Sequence, residues 1–392
     1  MFRDETKLEA DYVPVELPHR DAAIQRLTQL FKSLVENPGD ASKMVIITGP
    51  TGAGKTAVTK RVGAMIQELA EQNSIYLRYV HINLRQYNTS FMVLNRIIQH
   101  FKPKFPYGEL NLTGLVDILS NEILAKEDAY MLLCLDEVNV QSERNLLSEP
   151  SLIYNLTGMH EDSPRQRLSL IFIARSESDP SVCSTLHPQY SMIRFAKYSR
   201  PQLRDILNKR AGEAFLEGTV LNDTIDVILD FAAESGDARY ALELLRLAGK
   251  CADDAESPRI TPECVRQAKA SLDPKPIDPR EVIRDLGLHP KLVLLAIIRQ
   301  LKKTQKAYVL LGEVEAPYRL ICEEYSTESH SIKPHGHIEV WEYIRDLRDL
   351  YNILSIEDAP GQKFTTWLRL KVPIEFIERE LEDESKGGFK LS

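Results

Sequence analysis

The chain carries the stretch Gly49-Pro-Thr-Gly-Ala-Gly-Lys-Thr56 directly after the apolar run Met44-Val-Ile-Ile-Thr48. An apolar strand followed by a glycine-rich loop and Lys-Thr is typical of a phosphate-binding loop that opens a helix. Glycines let successive backbone N–H groups face a phosphate, and the start of the helix adds a partial positive charge. A glycine turn without a ligand is the alternative, but it would not need Lys55 and Thr56 in this register. The sequence therefore predicts a site for a nucleoside triphosphate.

The residues of this loop have distinct expected roles. We expect the Lys55 ammonium to reach the β- and γ-phosphates and the Thr56 hydroxyl to ligate Mg²⁺. The predicted cofactors are accordingly ATP or ADP, together with Mg²⁺. The residues expected to contact the nucleotide here are Gly49, Thr51, Gly52, Ala53, Gly54, Lys55, Thr56, Ala57 and Val58.

Composition favours a cytoplasmic protein with no membrane anchor. The 392 residues are enough for two or three domains with separate cores. No apolar run approaches the roughly 20 residues of a membrane helix, and the first residues lack the apolar centre of a signal peptide. Five cysteines without a C-x-x-C pair indicate reduced thiols. Because the net charge is −8, any binding to nucleic acid must come from a local surface.

Five short apolar runs predict strands, and helical patterns at residues 57–71 and 91–101 lie among them. Strands that alternate with helices indicate an α/β fold with a parallel sheet covered on both faces. The predicted strands are Met44–Thr48, residues 75–83, residues 131–135, Leu168–Ala174 and residues 192–195.

Two acids, Asp136 and Glu137, follow the third of these runs. Ligands of parallel sheets lie off the carboxyl ends of the strands. We therefore expect Asp136 to hold Mg²⁺ together with Thr56, and Glu137 to orient and deprotonate the attacking water. Glu137, Asp136 and Lys55 are thus the predicted catalytic residues, with a merely solvated acidic loop as the alternative.

Several stretches resemble one known family. They are Tyr12-Val-Pro-Val-Glu-Leu-Pro-His-Arg20, the phosphate loop, Asn83-Leu-Arg-Gln-Tyr-Asn-Thr89, Asp136-Glu137, Tyr198-Ser-Arg-Pro-Gln-Leu-Arg-Asp-Ile-Leu-Asn-Lys-Arg210 and Gly236-Asp-Ala-Arg-Tyr-Ala-Leu-Glu-Leu-Leu-Arg246. In these motifs, which run over nearly the whole chain, it resembles an archaeal replication initiator. That family is related to the eukaryotic origin recognition complex and the cell-division-cycle ATPases of the AAA+ class.

The resemblance implies further nucleotide contacts outside the phosphate loop. The family uses an aromatic and a basic residue twelve apart at the opening of the lid, here Tyr198 and Arg210. It also uses an arginine of the second sensor to face the γ-phosphate, here Arg239. From the residues alone, Asp237 is expected to cap a helix from residue 238, and Arg239 on its first turn has a solvated position as its alternative.

The chain departs from the family pattern at two positions. Arg175 stands where the family usually has the Asn of the first sensor, and Ser181 stands where it has an arginine finger. An arginine finger is worth orders of magnitude in rate in other phosphoryl-transfer systems. We therefore expect a slow or switched-off ATPase.

The last third of the chain predicts a winged helix-turn-helix. Residues 271–280 hold three prolines and predict a linker. Amphipathic helices are predicted at residues 290–303, 316–325 and 338–351, the second with Pro317 at its first position. A two-stranded hairpin is predicted from residues 353–356 and 364–372, with a turn at 358–361. The predicted domains are residues 1–196, the AAA+ nucleotide-binding base; residues 197–275, the helical lid with the second sensor; and residues 276–392, the winged-helix DNA-binding domain.

Candidate DNA contacts are few. We expect Arg345 and Arg348 on the third helix and Lys363 at the hairpin tip to meet DNA, because a winged module reads the major groove with its third helix. From Arg280 onward, however, 17 Lys and Arg stand against 19 Asp and Glu, so a protein-interaction fold is the alternative. The residues of a predicted insertion that presses on DNA are Phe101, Lys102, Lys104, Phe105 and Tyr107, with a plain solvated helix as the alternative. The histidines His330, His335 and His337 are expected to be ordinary surface residues and not metal ligands.

The sequence thus favours a three-part initiator ATPase that is associated with the nucleoid. The resemblance implies double-stranded origin DNA, the replicative helicase and self-association or a paralogue on DNA as partners. A divergent paralogue that acts as a nucleotide-gated regulator with little hydrolysis is the second hypothesis. A signalling ATPase whose winged domain binds protein is the third.

Overall fold

A computed structural model of the chain shows two compact units. One comprises Asp11–Ile206 with Ala232–Tyr240, and the other comprises Met1–Ala10, Leu207–Phe231 and Ala241–Ser392. No helix in the described ranges is long and apolar enough to cross a membrane. The structure describes residues 1–40, 42–87, 89–103, 111–126, 128–138, 156, 166–175, 190–272, 283, 286–304, 306–326, 331–349, 351, 353–358, 365–375, 377–378 and 381.

The first unit is built on a parallel sheet in the order β2-β3-β4-β1-β5. Every residue of β3 and β4 is buried, as expected for central strands with helices on both faces. The predicted parallel α/β core is confirmed. Its strands are β1 (Met44–Thr48), β2 (Leu77–Asn83), β3 (Tyr130–Asp136), β4 (Leu168–Ala174) and β5 (Ser191–Arg194).

Side chains that alternate along these strands fill two separate cores. Leu132 and Cys134 of β3 point into the core that holds α1 (Asp21–Glu36) and α2 (Lys55–Gln72). The intervening Met131, Leu133 and Leu135 point into the core that holds α3 (Ser90–Phe101) and α4 (Leu112–Asp117). A π-helix at Ile118–Lys126 continues directly from α4. The strand period of two thus covers both faces of the sheet with helices.

Between β5 and residue 272, where every residue is described, the chain forms four helices. They are α5 (Arg200–Ala214), α6 (Asn222–Ala232), α7 (Ala238–Asp254) and α8 (Pro262–Leu272). In the second unit the first residues of the chain pack on this helical part: the Phe2 ring stacks on Phe215 with centroids 4.5 Å apart. Glu5 accepts a hydrogen bond from Arg246 on α7 at 2.8 Å. The predicted domain boundaries remain predictions.

The C-terminal part of the second unit has the winged-helix order that the sequence predicts. Helices α9 (Leu288–Thr304), α10 (Glu315–Glu324) and α11 (His337–Asp349) share one hydrophobic core with an antiparallel sheet in the order β6-β8-β7. The strands are β6 (Val309–Leu310), β7 (Leu354–Asp358) and β8 (Thr366–Leu370).

Two local predictions in this module are wrong. The hairpin has a third strand, β6, whose two residues are too few to show an alternating pattern. Pro317 is the third residue of α10 and not its first. A helix has no internal partner for the N–H groups of its first four residues, so the missing N–H of a proline is tolerated at the third position as well. Most of the predicted turn at 358–361 lies outside the described residues.

Buried charged side chains join the helical part of the second unit to strand β8. Arg369 of β8 donates to Asp230 of α6, and both side chains are less than a tenth exposed (4% and 7%). Arg266 of α8 donates to the Leu370 carbonyl at 2.9 Å and to Glu263 at 2.8 Å. Burial raises the pKa of Glu263, although Arg266 and the Ile374 N–H oppose it. We call Asp230, Glu263, Arg266 and Arg369 the lid–wing clamp.

Candidate functional site

The phosphate loop has a backbone that only glycine tolerates. Gly49, Gly52 and Gly54 have φ values of 147°, 69° and 84°. A Cβ on Gly52 would lie 1.7 Å from Oδ1 of Asp237, and a Cβ on Gly54 would lie 2.6 Å from the Tyr198 hydroxyl. The glycines therefore permit both the turn and the close approach of two later segments of the chain.

Lys55 turns back into its own loop. Its Nζ donates to the carbonyl oxygens of Gly49 at 2.6 Å and Pro50 at 2.8 Å. Burial lowers the pKa of Lys55, while the negative charges of Asp136 and Glu137 act in the opposite direction. The ammonium thus lies at the centre of the loop, held by weak carbonyl partners that phosphate oxygens can replace.

Thr56 and Asp136 meet beneath this loop. The Thr56 hydroxyl donates to Asp136 Oδ2 at 2.6 Å, and His81 Nε2 lies 3.2 Å from the same oxygen. Burial alone would raise the pKa of Asp136, but the hydrogen bonds with His81 and Thr56 hold it below its usual value. A carboxylate and a hydroxyl are oxygen ligands that suit Mg²⁺, so the residues present fit this ion. Within the described part of the chain, no group of three or more His, Cys, Asp or Glu side chains is arranged so that it could hold a metal ion.

Glu137 lies between two arginines. Oε2 of Glu137 accepts a hydrogen bond from Nε of Arg175 at 3.2 Å. The same oxygen forms ion pairs with Nη2 of Arg175 at 3.2 Å and with Nε of Arg85 at 3.6 Å. The Glu137 backbone has φ +60°, a strained value that is common at functional sites. The contact between Arg175 and Glu137 was not predicted from the sequence.

Arg20 is a site residue whose contacts sequence reasoning missed. Its guanidinium lies 3.9 Å from the centre of the Tyr198 ring and donates to the carbonyls of Ala53 and Ala196, each at 3.0 Å. Burial raises the pKa of Tyr198 even though the Arg20 charge opposes the shift. The available signal was the segment that ends at Arg20, which resembles the family but does not by itself assign a role to Arg20.

The second-sensor segment lies against the phosphate loop. Oδ1 of Asp237 accepts hydrogen bonds from the N–H groups of Arg239 at 2.8 Å and Tyr240 at 3.1 Å, as expected for a helix cap. The Ala238 N–H donates to the Gly52 carbonyl at 3.3 Å. Arg239 is near enough for its charge to lower the Lys55 pKa. The structure therefore brings Arg239 to the loop, while its contact with a γ-phosphate remains a prediction.

The remaining predicted nucleotide contacts lie on α5, in the phosphate loop and on the first turn of α2. Arg210 is buried on α5 within the second unit, so its nucleotide contact stays a prediction. Thr51 is exposed in the loop and Ala57 lies on the first turn of α2. Val58 is fully buried and its N–H donates to the Gly54 carbonyl at 3.0 Å.

The candidate DNA contacts divide into described and undescribed residues. Arg345 is exposed on α11, and Arg348 pairs with its neighbour Asp349 at 2.6 Å. Lys102 contacts Glu122 at 3.2 Å. Phe101 meets the Tyr76 ring edge-on, with centroids 6.1 Å apart. The predicted residues that lie outside the described part of the chain are Lys104, Phe105, Tyr107, Ser181, His330 and Lys363.

The histidines before α11 have partners within the winged module. His335 stacks on His289 with ring centres 3.7 Å apart, and its Nδ1 lies 2.6 Å from the Tyr343 hydroxyl. His337 pairs with Glu315. Both described histidines thus have partners within the winged module, and their expected lack of a metal stays a prediction.

Comparison with known proteins gives matches along the whole chain. Residues 204–270 match the family model of the Cdc6 AAA+ ATPase-type lid domain, and residues 281–380 match that of the CDC6 C-terminal winged helix domain. The chain is 31% identical over 402 residues to ORC1-type DNA replication protein 2 of Sulfurisphaera tokodaii, covering 98% of this chain and 94% of the relative.

Two solved structures resemble the chain over a similar extent. The crystal structure of Cdc6p from Pyrobaculum aerophilum has a TM-score of 0.77 at 26% identity and covers 98% of this chain and 99% of its own. The Aeropyrum pernix ORC1 protein, solved in complex with DNA, has a TM-score of 0.61 at 28% identity, with 98% and 97% covered.

A phosphate loop on a parallel sheet, followed by a helical lid and a winged helix, defines an AAA+ protein of the kind that carries a DNA-binding module. Within that class, the chain belongs to the ORC1/Cdc6 family of DNA replication initiators. The resemblance predicted from the sequence is confirmed.

Proposed function

We propose that the chain binds ATP with Mg²⁺ at the phosphate loop and binds double-stranded origin DNA through its winged helix, in a way that depends on the nucleotide. The observation that carries this proposal is the convergence of Lys55, Thr56 and Asp136 in one buried site of a family member. Lys55 would hold the phosphates, while Thr56 and Asp136 would hold the ion. Mg²⁺ bound there would neutralise charge on the phosphate oxygens.

Other residues complete the proposed nucleotide site. Tyr198 with Arg20 offers a flat surface beside Gly54, and Arg239 adds a positive charge near Lys55. Glu137 is the proposed base for hydrolysis, which we expect to be slow because Arg175 replaces the first-sensor Asn. Arg210 and the backbone of residues 49–58 are also proposed to contact the nucleotide.

The proposed DNA contacts are Arg345 and Arg348 on α11 together with Lys363. The Aeropyrum pernix ORC1 protein has been solved with DNA, which supports the same activity for this chain. We further propose that it acts at the nucleoid, helps to recruit the replicative helicase, and pairs with itself or a paralogue on DNA. The proposed base, lid and winged-helix domains are residues 1–196, 197–275 and 276–392.

The test is footprinting on intergenic DNA of the host with ATP, ADP and no nucleotide. The full chain should protect discrete sites, and protection should differ between ATP and ADP. Lys55→Ala should lose this difference and bind a fluorescent ATP analogue at least about tenfold more weakly, because the triphosphate loses its main charge partner. A chain ending at Pro274 should bind ATP but lose site-selective protection. Unchanged ATP affinity in Lys55→Ala, or selectivity retained by the shortened chain, would contradict the proposal.

A second candidate function has one observation in its favour. The contact of Glu137 with Arg175 engages the proposed base, which suits a nucleotide-gated regulator with little hydrolysis. In that case footprints would still respond to ATP, but no phosphate would be released over many hours.

A further inference from the structure

Arg175 and Glu137 form a contact that the reaction itself does not require. Resting on the proposed ATP site, we propose that Arg175 is a positioning residue that restrains the Glu137 carboxylate and thereby slows hydrolysis. In this arrangement the chain binds ATP at full strength but turns it over only when the carboxylate leaves the arginine.

The sheet brings these two residues together. Strands β3 and β4 are parallel neighbours, with Leu135 opposite Phe172. The Val138 N–H donates to the Ile173 carbonyl at 3.1 Å, which ties the chain after β3 to the end of β4. Glu137 and Arg175 each leave this edge of the sheet on adjacent strands. Their meeting is therefore fixed by strand register and does not depend on a long loop.

The contact holds one oxygen of the carboxylate that is the proposed base. Nε of Arg175 donates to Oε2 of Glu137 at 3.2 Å, and Nη2 of Arg175 lies 3.2 Å from the same oxygen. Arg85 adds a third cationic nitrogen at 3.6 Å from it. The Glu137 N–H is held in turn by Oδ1 of Asp136 at 2.8 Å, which fixes the backbone. A carboxylate oxygen has only two lone pairs for hydrogen bonds in its plane. Water therefore competes with the guanidinium for Oε2.

Hydrolysis needs the Glu137 carboxylate to turn towards the attacking water, and its ion pair with Arg175 opposes that movement. The water oxygen forms a bond to the γ-phosphorus while the bond from that phosphorus to the bridging oxygen breaks, and ADP leaves with the electron pair. The water proton passes to the Glu137 carboxylate and then to solvent, so the products are ADP, phosphate and a proton. While Arg175 holds the Glu137 carboxylate, this proton transfer is slowed.

Exposure makes the contact a restraint that can be released. The Arg175 side chain is 46% exposed and that of Glu137 is 18% exposed. Ion pairs this close to solvent are weak, so we expect removal of the restraint to raise the rate by about five- to tenfold and no more.

The test compares Arg175→Met, which keeps side-chain length but has no N–H donors, with the full-length wild-type chain. Single-turnover hydrolysis at saturating ATP should become about five- to tenfold faster, while the ATP dissociation constant changes less than about twofold. Arg175→Lys has a single ammonium group, so its hydrolysis rate should lie between those of the wild type and Arg175→Met. Arg96→Met on α3 removes the same charge from an exposed helix position and should match the wild type.

A double variant shows whether the gain runs through Glu137. Arg175→Met combined with Glu137→Gln should be as slow as Glu137→Gln alone, because no base remains to be released. Unchanged or slower hydrolysis in Arg175→Met with normal ATP affinity would overturn the inference and leave the proposed function intact. If the wild-type chain does not bind ATP, the proposed function itself is refuted. If Arg175→Met fails to fold, the rate of Arg175→Lys decides, because it must exceed that of the wild type.

Discussion

The lack of a side chain at Gly52 is required for the phosphate loop to lie against Asp237. Gly52→Ala must fit a methyl group where Asp237 now lies, at a φ of 69° that L residues rarely adopt. We expect this variant to lose at least about tenfold in ATP affinity and about 1–3 kcal/mol of stability. Titration with a fluorescent ATP analogue and urea denaturation measure the two effects.

Gly212→Ala is the matched control, because the same methyl group there meets nothing within 4 Å. It lies inside α5 at an ordinary helical φ, so alanine should stabilise the helix by about 0.5–1 kcal/mol. Equal losses in both variants would mean that the contact between Gly52 and Asp237 does not matter.

Residues near the loop differ in how far the sequence predicts them. Lys55, Thr56 and Asp136 follow from patterns that lie within one strand and its next loop. His81 reaches Asp136 because β2 pairs with β3 in a register that sets His81 opposite Cys134, two residues before the acid. Arg175 reaches Glu137 for a similar reason. Pairing register is a property of two distant segments, so no local pattern encodes these contacts.

At the scale of elements, long amphipathic segments were predictable and short ones were not. Helix α9 differs from its prediction by two residues at the start and one at the end, because its apolar period extends over several turns. Strand β6 was missed because it consists of only two residues, which form a strand by pairing with Leu368 and Trp367 of β8. Strand formation there is decided by the partner and not by the residues themselves.

The histidine pair that joins α9 to α11 predicts a pH dependence of stability. Burial lowers the pKa of His289, and the nearby His335 lowers it further. Below the ordinary histidine pKa of about 6.5, the unfolded chain takes up a proton that folded His289 resists, so stability falls as the pH falls. The other groups around the pair are the Tyr318 and Tyr343 hydroxyls, with Glu339 and Glu342 acting on Tyr343.

His289→Phe keeps a ring for stacking but cannot take up a proton. We expect its melting temperature to fall less than that of the wild type when the pH is lowered from 7.5 to 5.5. The reason is that the unfolded variant no longer takes up the extra proton that unfolded His289 binds and folded His289 resists. Thermal melts followed by circular dichroism at the two pH values give the comparison. Identical falls in the two proteins would show that the histidine pair does not contribute.

At the scale of the whole molecule, the lid–wing clamp makes a stability prediction. Arg369→Met leaves the buried Asp230 carboxylate without the arginine, which typically costs about 3–5 kcal/mol. Both tryptophans, Trp341 and Trp367, lie in the winged module, so urea denaturation followed by tryptophan fluorescence reports on that module. Adding Asp230→Leu should restore part of the loss, because the buried carboxylate that faced Arg369 is then replaced by an apolar side chain.

Arg348→Met provides the control within the same module. Arg348 pairs near the surface with its own neighbour Asp349, so its removal should leave the urea midpoint essentially unchanged. A loss in Arg369→Met no larger than that of Arg348→Met would show that the clamp contributes little.

The same clamp limits what can be learned from the winged module in isolation. A fragment starting at residue 276 lacks Asp230, Glu263 and Arg266, so it uncovers Arg369 along with the Leu370 carbonyl and the Ile374 N–H. In the fragment Arg369 loses Asp230 but keeps Glu357 at 3.5 Å, so only part of its charge becomes available to the phosphate backbone of a duplex. Such a fragment would gain a contribution to DNA binding that does not depend on sequence, and its affinity would include a cut surface that the intact protein never presents.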